Sequence, residues 1–258
     1  MSLIISVIHP SAIIMATDGR KTIELTTADF ETLTPIGEKR IEYCNTRKLF
    51  HIQNVGCISM WGDFTKIEFP LREYLLKLSS KQLEIEILAD SLLEFLKKNI
   101  DATNNNDVGF HIGGYSSNGN PKLFHVFFGV DRGPTINPLN NPQEFKKYDH
   151  SNFVALYNGA NDKAHLIINF ILTLERELGI VKWITNYNVE VAKKFVELII
   201  KQVSLIEPSV GEEILLAEIN KRNEIEINGI KLNPLDYKNT EYIIPSGVGN
   251  SLPTGSVM

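Results

Sequence analysis

Apolar positions dominate the start of the chain in two runs, Ser2 to Ile8 and Ala12 to Thr17, separated by His9-Pro10-Ser11. β-Branched residues are frequent in both, so the pattern predicts a hairpin of largely buried strands. Lys21 to Thr46 carries alternating charge and Pro35-Ile36-Gly37 without a consistent period, and reads as loop with a short strand. Lys48 to Gln53 and Val55 to Met60 form a second strand pair, joined tightly at Asn54 and closed by Gly62. Asp63 is then placed as a helix N-cap.

From Phe64 to Leu78 and from Leu83 to Ile100 the apolar residues recur at helical spacing, as in Leu88, Leu92, Leu93 and Leu96. Pro70 predicts a kink or a separate short segment early in the first of these helices. Strand patterns return at Val108 to Tyr115 and Lys122 to Gly129, linked by the turn cluster Ser116 to Pro121. Asp131 to Ser151, rich in Pro and Asn, reads as a long surface loop before a short strand at Phe153 to Tyr157. Helices follow at Asp162 to Leu178 and Val189 to Leu205. Closing strands follow at Glu213 to Asn220 and Glu224 to Ile227, with Asn228-Gly229 as a turn.

Strands and helices thus come in groups, with no internal repeat. A doubly wound parallel sheet needs alternation, so grouping favours antiparallel sheets covered by helix pairs. The predicted class is α+β, specifically a four-layer αββα sandwich. No linker composition interrupts the chain, so residues 1–246 are expected to form one domain, and 247–258 a flexible tail rich in Gly, Ser and Pro.

Composition narrows the function. Lys and Arg total 26 against 31 Asp and Glu, a formal net charge of −5 over 258 residues. The basic pairs Lys97-Lys98, Lys146-Lys147 and Lys193-Lys194 are scattered, which argues against nucleic acid as a partner. Cys44 and Cys57 are too few for a disulfide framework and lack zinc-ligand spacing, in keeping with a reducing cytoplasm. The apolar start lacks a basic region and breaks at His9-Pro10, and no stretch reaches membrane-spanning length. Neither a signal peptide nor a membrane partner is expected.

The chain lacks a phosphate loop, a dinucleotide glycine fingerprint, H-E-x-x-H and G-x-S-x-G. Gly113-Gly114 lies between two strands and reads as part of a hairpin. His9, His51, His111, His125, His150 and His165 show no metal-ligand spacing, and core or edge histidines are the expectation. What remains is the beginning of the chain. Once Met1 is removed, as a small second residue permits, Ser2 carries a hydroxyl and a free α-amine. That amine, with a pKa of roughly 7.7–8.0, can accept the hydroxyl proton without a histidine.

Here the residues resemble a family. MSLIISVIHPSAIIMATDGRKT is similar to the start of a mature proteasome β subunit, or of the related bacterial peptidase of the ATP-dependent two-component protease. In that family an N-terminal Thr opens a strand, a hairpin follows, and an Asp-containing segment of the form seen in Ala16-Thr17-Asp18-Gly19-Arg20 closes it. Counting back from Asp18 puts Ser2 at the nucleophile. Thr46-Arg47-Lys48-Leu49-Phe50-His51-Ile52 resembles the strand carrying the catalytic lysine. Ser59-Met60-Trp61-Gly62-Asp63, with Gly62 fourteen residues beyond Lys48, resembles the turn whose glycine N–H serves as oxyanion donor. Tyr157-Asn158-Gly159-Ala160 stands where the family has Gly-Ser-Gly-Ser, and Pro208-Ser209-Val210-Gly211-Glu212 stands near its Asp-x-x-Ser-Gly-Gly turn. On that pairing Asn158 takes the place of a supporting Ser, and Glu207 that of a supporting Asp.

The resemblance spans roughly Ser2 to Glu224 and implies an N-terminal-nucleophile hydrolase cleaving a peptide or small amide without a cofactor. It implies Ser2 as nucleophile and base, Lys48 tuning the amine, Asp18 holding Lys48, and Gly62 binding the oxyanion. The departures are Ser in place of Thr, a longer loop before Lys48, an insert at Asp131 to Ser151, and both supporting positions altered. Asp18 and Lys48 also fit a structural ion pair, and Gly62 a turn needing positive φ; their joint spacing favours a preserved site. The alternative is a catalytically silent ring or scaffold subunit. Self-association through the helix pair at Phe64 to Ile100 is expected in either case, and an ATPase regulator stays open as a partner.

Overall fold

The structure, a computed structural model, describes residues 3–25, 40–45, 48–64, 67–79, 81, 83–100, 107–130, 143–149, 155–178 and 188–231. Six strands open the chain: β1 (Leu3–His9), β2 (Ala12–Asp18), β3 (Arg20–Leu25), β4 (Arg40–Asn45), β5 (Leu49–Ile52) and β6 (Gly56–Gly62). Helices α1 (Glu68–Ser79) and α2 (Ile85–Asn99) follow, then β7 (Val108–Tyr115), β8 (Pro121–Val130), β9 (Gln143–Asp149) and β10 (Ala155–Gly159). Helices α3 (Asn161–Leu178) and α4 (Val189–Ser204) lead to β11 (Ile214–Asn220), β12 (Ile225–Ile227) and β13 (Ile230–Lys231). The class is α+β.

Two large antiparallel sheets hold all the described strands except β3 and β4, which pair as a separate two-stranded sheet. One has six strands in the order β10-β1-β2-β11-β12-β13, the other five in the order β5-β6-β7-β8-β9. One apolar cluster joins α1 and α2 to the five-stranded sheet, through residues such as Leu71, Leu92, Phe110 and Phe128. A second joins α4 and the start of α3 to the six-stranded sheet, through Ala164, Phe195, Ile199, Leu3 and Ile14. A third contains residues from both sheets, with Ile13, Met15 and Ile219 from one and Leu49, Cys57 and Tyr115 from the other. Strand alternation explains the division: Val108, Phe110 and Ile112 of β7 join the first cluster, while Tyr115 joins the third.

The helices bury the faces that their spacing predicts. In α4, Ala192, Phe195, Val196, Ile199, Ile200 and Val203 are buried, and each large side chain contributes about 1.5–3 kcal/mol. Asn188 caps this helix, its side chain accepting from the Val191 N–H at 3.1 Å. Asp63 does not cap α1, which begins at Glu68. Nor does Pro70 break that helix: it is the third residue, in the first turn, where a backbone N–H has no intrahelical acceptor.

Three further differences from the sequence expectation stand out. Within Lys21 to Thr46 there are two strands, β3 and β4, paired from Arg20↔Asn45 to Leu25↔Arg40, with 26–39 outside the described residues. Within Asp131 to Ser151 lies β9, which extends the five-stranded sheet at the edge of β8. The closing β-hairpin gains β13 after Asn228-Gly229, both at positive φ (49° and 77°). The polar sequences of β3, β4 and β9 carry little of the apolar alternation that betrays a strand. Residues 247–258 lie outside the described residues, and no described helix is long and apolar enough to cross a membrane.

Candidate functional site

The last residue of β2 holds the centre of the site. Asp18 is fully buried, and its neighbour Gly19 donates to the Glu213 carbonyl at 2.9 Å, which keeps β2 against the approach to β11. Oδ1 of Asp18 accepts the Leu3 backbone N–H at 2.7 Å. Oδ2 accepts from Lys48 Nζ at 2.9 Å, the Arg20 N–H at 3.1 Å and the Gly211 N–H at 3.2 Å. A buried carboxylate left unpaired would be strongly destabilising; four donors make this one tenable.

Lys48 reaches Asp18 from the other sheet. Its carbonyl accepts the Met60 N–H at 2.9 Å, which seats it beside β6, and its ammonium also donates to the Arg20 carbonyl. The side chain is only 7% exposed. The site therefore straddles the two sheets: Leu3 and Asp18 belong to the six-stranded one, while Lys48 leads into β5 of the other.

The turn after α4 supplies the remaining contact. The Glu207 N–H donates to the Val203 carbonyl at 2.8 Å, and the Val210 N–H to the Glu207 carbonyl at 2.9 Å, bending the chain back towards Asp18. Pro208 offers its carbonyl to Arg20 Nη1 at 2.7 Å. Gly211 fits because a Cβ there would lie 2.8 Å from the Arg20 Cβ.

The structure brings some of the sequence-derived residues together and directs others elsewhere. Asp18 and Lys48 meet. Gly62 ends β6, two residues beyond Met60, with φ +95°. Glu207 turns its carboxylate to Ser209, accepting from its N–H at 3.2 Å and its hydroxyl at 2.5 Å. Asn158 presents Oδ1 to His111 Nε2 at 2.7 Å. Ser2 lies outside the described residues.

Sequence reading missed several partners. The donors from Leu3, Arg20 and Gly211 are backbone groups, which no side-chain motif announces. His111, expected only as a core or edge histidine, links Asn158 to Ser6, whose Oγ lies 2.9 Å from His111 Nδ1. Among the described residues no group of three or more His, Cys, Asp or Glu is arranged to hold a metal ion. No family model matches the chain, and no curated protein matches it significantly.

Proposed function

We propose that the chain is a proteasome-type N-terminal-nucleophile hydrolase acting on a peptide or small amide. The observation that carries this reading is the shared carboxylate: Asp18 binds the Lys48 ammonium with one oxygen and the Leu3 N–H with the other. The Leu3 nitrogen is the amide nitrogen of the Ser2–Leu3 bond, so the lysine and the opening of β1 are tied to one anion. The separate apolar clusters on the outer and inner faces of the two sheets support a four-layer αββα arrangement of the kind this chemistry uses.

In the proposed reaction Met1 is first removed. Ser2 Oγ attacks the amide carbonyl carbon while the Ser2 α-amine takes the hydroxyl proton, and the Gly62 N–H stabilises the oxyanion. The C–N bond then breaks as that proton passes to the leaving amine. Water hydrolyses the resulting ester and regenerates Ser2. Lys48, as a nearby cation, favours the unprotonated amine. Intact-mass measurement together with peptide hydrolysis tests the reading. Loss of Met1 and activity abolished by Ser2→Ala are expected; retention of Met1, or an undiminished Ser2→Ala variant, overturns it.

A silent scaffold subunit is the second reading. It is favoured by Asn158 and Glu207, whose side chains engage His111 and Ser209 and have no described bond to Asp18 or Lys48. Stoichiometric labelling of Ser2 by a β-lactone or epoxyketone rules it out. Self-association is proposed under both readings. Phe69 and Leu76 of α1 are 71% and 70% exposed, and Leu166 and Phe170 of α3 are both 63% exposed. The buried stripe of α2 is consumed by the core, so α1 supplies more of the free apolar surface.

A further inference from the structure

The site needs the two sheets in one mutual position, and the apolar attraction that brings them together is itself non-directional. Directional contacts are therefore of interest. His111 projects from β7 of the five-stranded sheet and is fully buried. Its Nδ1 meets Ser6 Oγ of β1 at 2.9 Å, and its Nε2 meets Asn158 Oδ1 of β10 at 2.7 Å. Ser6 pairs with Leu156 and Ile4 with Asn158, so Ser6 and Asn158 are diagonal neighbours on adjacent strands, and one imidazole bridges them from the opposite sheet. Taken from these partners, Nε2 carries the proton and Nδ1 accepts the Ser6 hydroxyl.

His111 also sits beside the strand that seats Lys48. It pairs with Ser59 of β6, next to Met60, whose N–H holds the Lys48 carbonyl. On the other side it pairs with His125 of β8, whose ring meets it edge-on with centroids 5.3 Å apart. A short path therefore runs from Lys48 through Met60, Ser59 and His111 to Ser6 and then to Leu3, three residues earlier on β1. We propose that His111 is a positioning residue: its two hydrogen bonds pin β1 and β10 to the five-stranded sheet and so set the approach of Leu3 and Asp18 to Lys48. Buried hydrogen bonds act here through specificity of position more than through net stability.

The catalytic arm of this inference rests on the proposed hydrolase; the structural arm does not. The experiment compares wild type, His111→Phe, His111→Gln and Ser6→Ala. Amide exchange is followed by NMR at Leu3 and Gly211, which report the Asp18 contacts, and at Phe110 and Val126 in the centre of the five-stranded sheet. In folded His111→Phe the Leu3 and Gly211 amides are expected to exchange about tenfold faster, while Phe110 and Val126 keep their protection. His111→Gln, which retains a donor towards Asn158, is expected to recover part of the difference, and Ser6→Ala to show the β1 effect alone. With hydrolytic activity, kcat falls and KM holds.

Unchanged Leu3 and Gly211 exchange in folded His111→Phe overturns the proposal, as does a uniform loss of protection across both sheets, the mark of a merely structural role. Should His111→Phe fail to fold, Ser6→Ala and His111→Gln decide by the same criteria. A wild type without hydrolytic activity refutes the hydrolase reading and leaves the exchange result to judge His111.

Discussion

Asp18 and Lys48, thirty residues apart in sequence, meet at 2.9 Å with both side chains withdrawn from solvent. The two partners are unequally supported. The carboxylate also accepts three backbone N–H groups, from Leu3, Arg20 and Gly211. Asp18→Ala removes the acceptor of all four donors and is expected to destabilise by about 3–5 kcal/mol. Lys48→Met leaves an anion still held by three N–H groups, and its loss is expected to be smaller. Urea unfolding of the two variants measures the order; equal losses would contradict it.

Gly62 is expected to resist substitution more than another glycine at positive φ. A Cβ at Gly62 would lie 2.1 Å from the Asp107 carbonyl oxygen, and its φ is +95°. Gly119, with φ +76°, has nothing within 4 Å of its Cβ position. Gly119→Ala is expected to lower stability by about 1 kcal/mol through backbone strain alone. Gly62→Ala must also displace backbone, so a loss of more than about 2 kcal/mol and abolished activity are expected. Comparable melting temperatures for the two variants would refute the steric argument.

Tyr115 provides an alkaline prediction. Burial first, and the Glu218 carboxylate second, push its phenol from 10.0 up to about 12. The folded state thus favours the protonated phenol. Its contribution to stability is fully present below pH 10 and is lost as pH rises towards 12. Absorbance titration of the phenolate near pH 11 should show fewer ionised tyrosines in the folded wild type than in the unfolded chain, Tyr157 also being raised by burial, and Tyr115→Phe should shrink that difference by one tyrosine. The Tyr115 hydroxyl has no hydrogen-bond partner among the described residues, so Tyr115→Phe is expected to hold or raise the melting temperature.

Self-association is tested on α1. Phe69 and Leu76 lie seven residues apart, two turns along one side of the helix, and are both largely exposed. Light scattering at micromolar concentration is expected to give a multiple of the 29.1 kDa chain mass, and Phe69→Glu with Leu76→Glu is expected to lower it. A wild-type mass near 29.1 kDa rejects the proposal.

The amino-acid sequence by itself determined the elements with a strong local period. The opening hairpin, the stripes of α2 and α4, and the β7–β8 pair follow from apolar spacing, because burial of one face imposes a repeat that neighbouring residues record. Spacing together with the family resemblance also singled out Asp18 and Lys48. Only the tertiary structure decided the rest. The polar sequences of β3, β4 and β9 lack a clear repeat, so only one short strand is legible between Lys21 and Thr46 and none between Asp131 and Ser151. Gly211 enters the site through a backbone N–H, a donor that every residue except proline carries. Glu207 and Asn158 were found by position, but their bonds go to Ser209 and His111. Hydrogen bonding depends on direction and on separations of a few tenths of an ångström. Across two sheets, those are set by how the layers come to rest together, with partners as distant in sequence as Ser6 and His111.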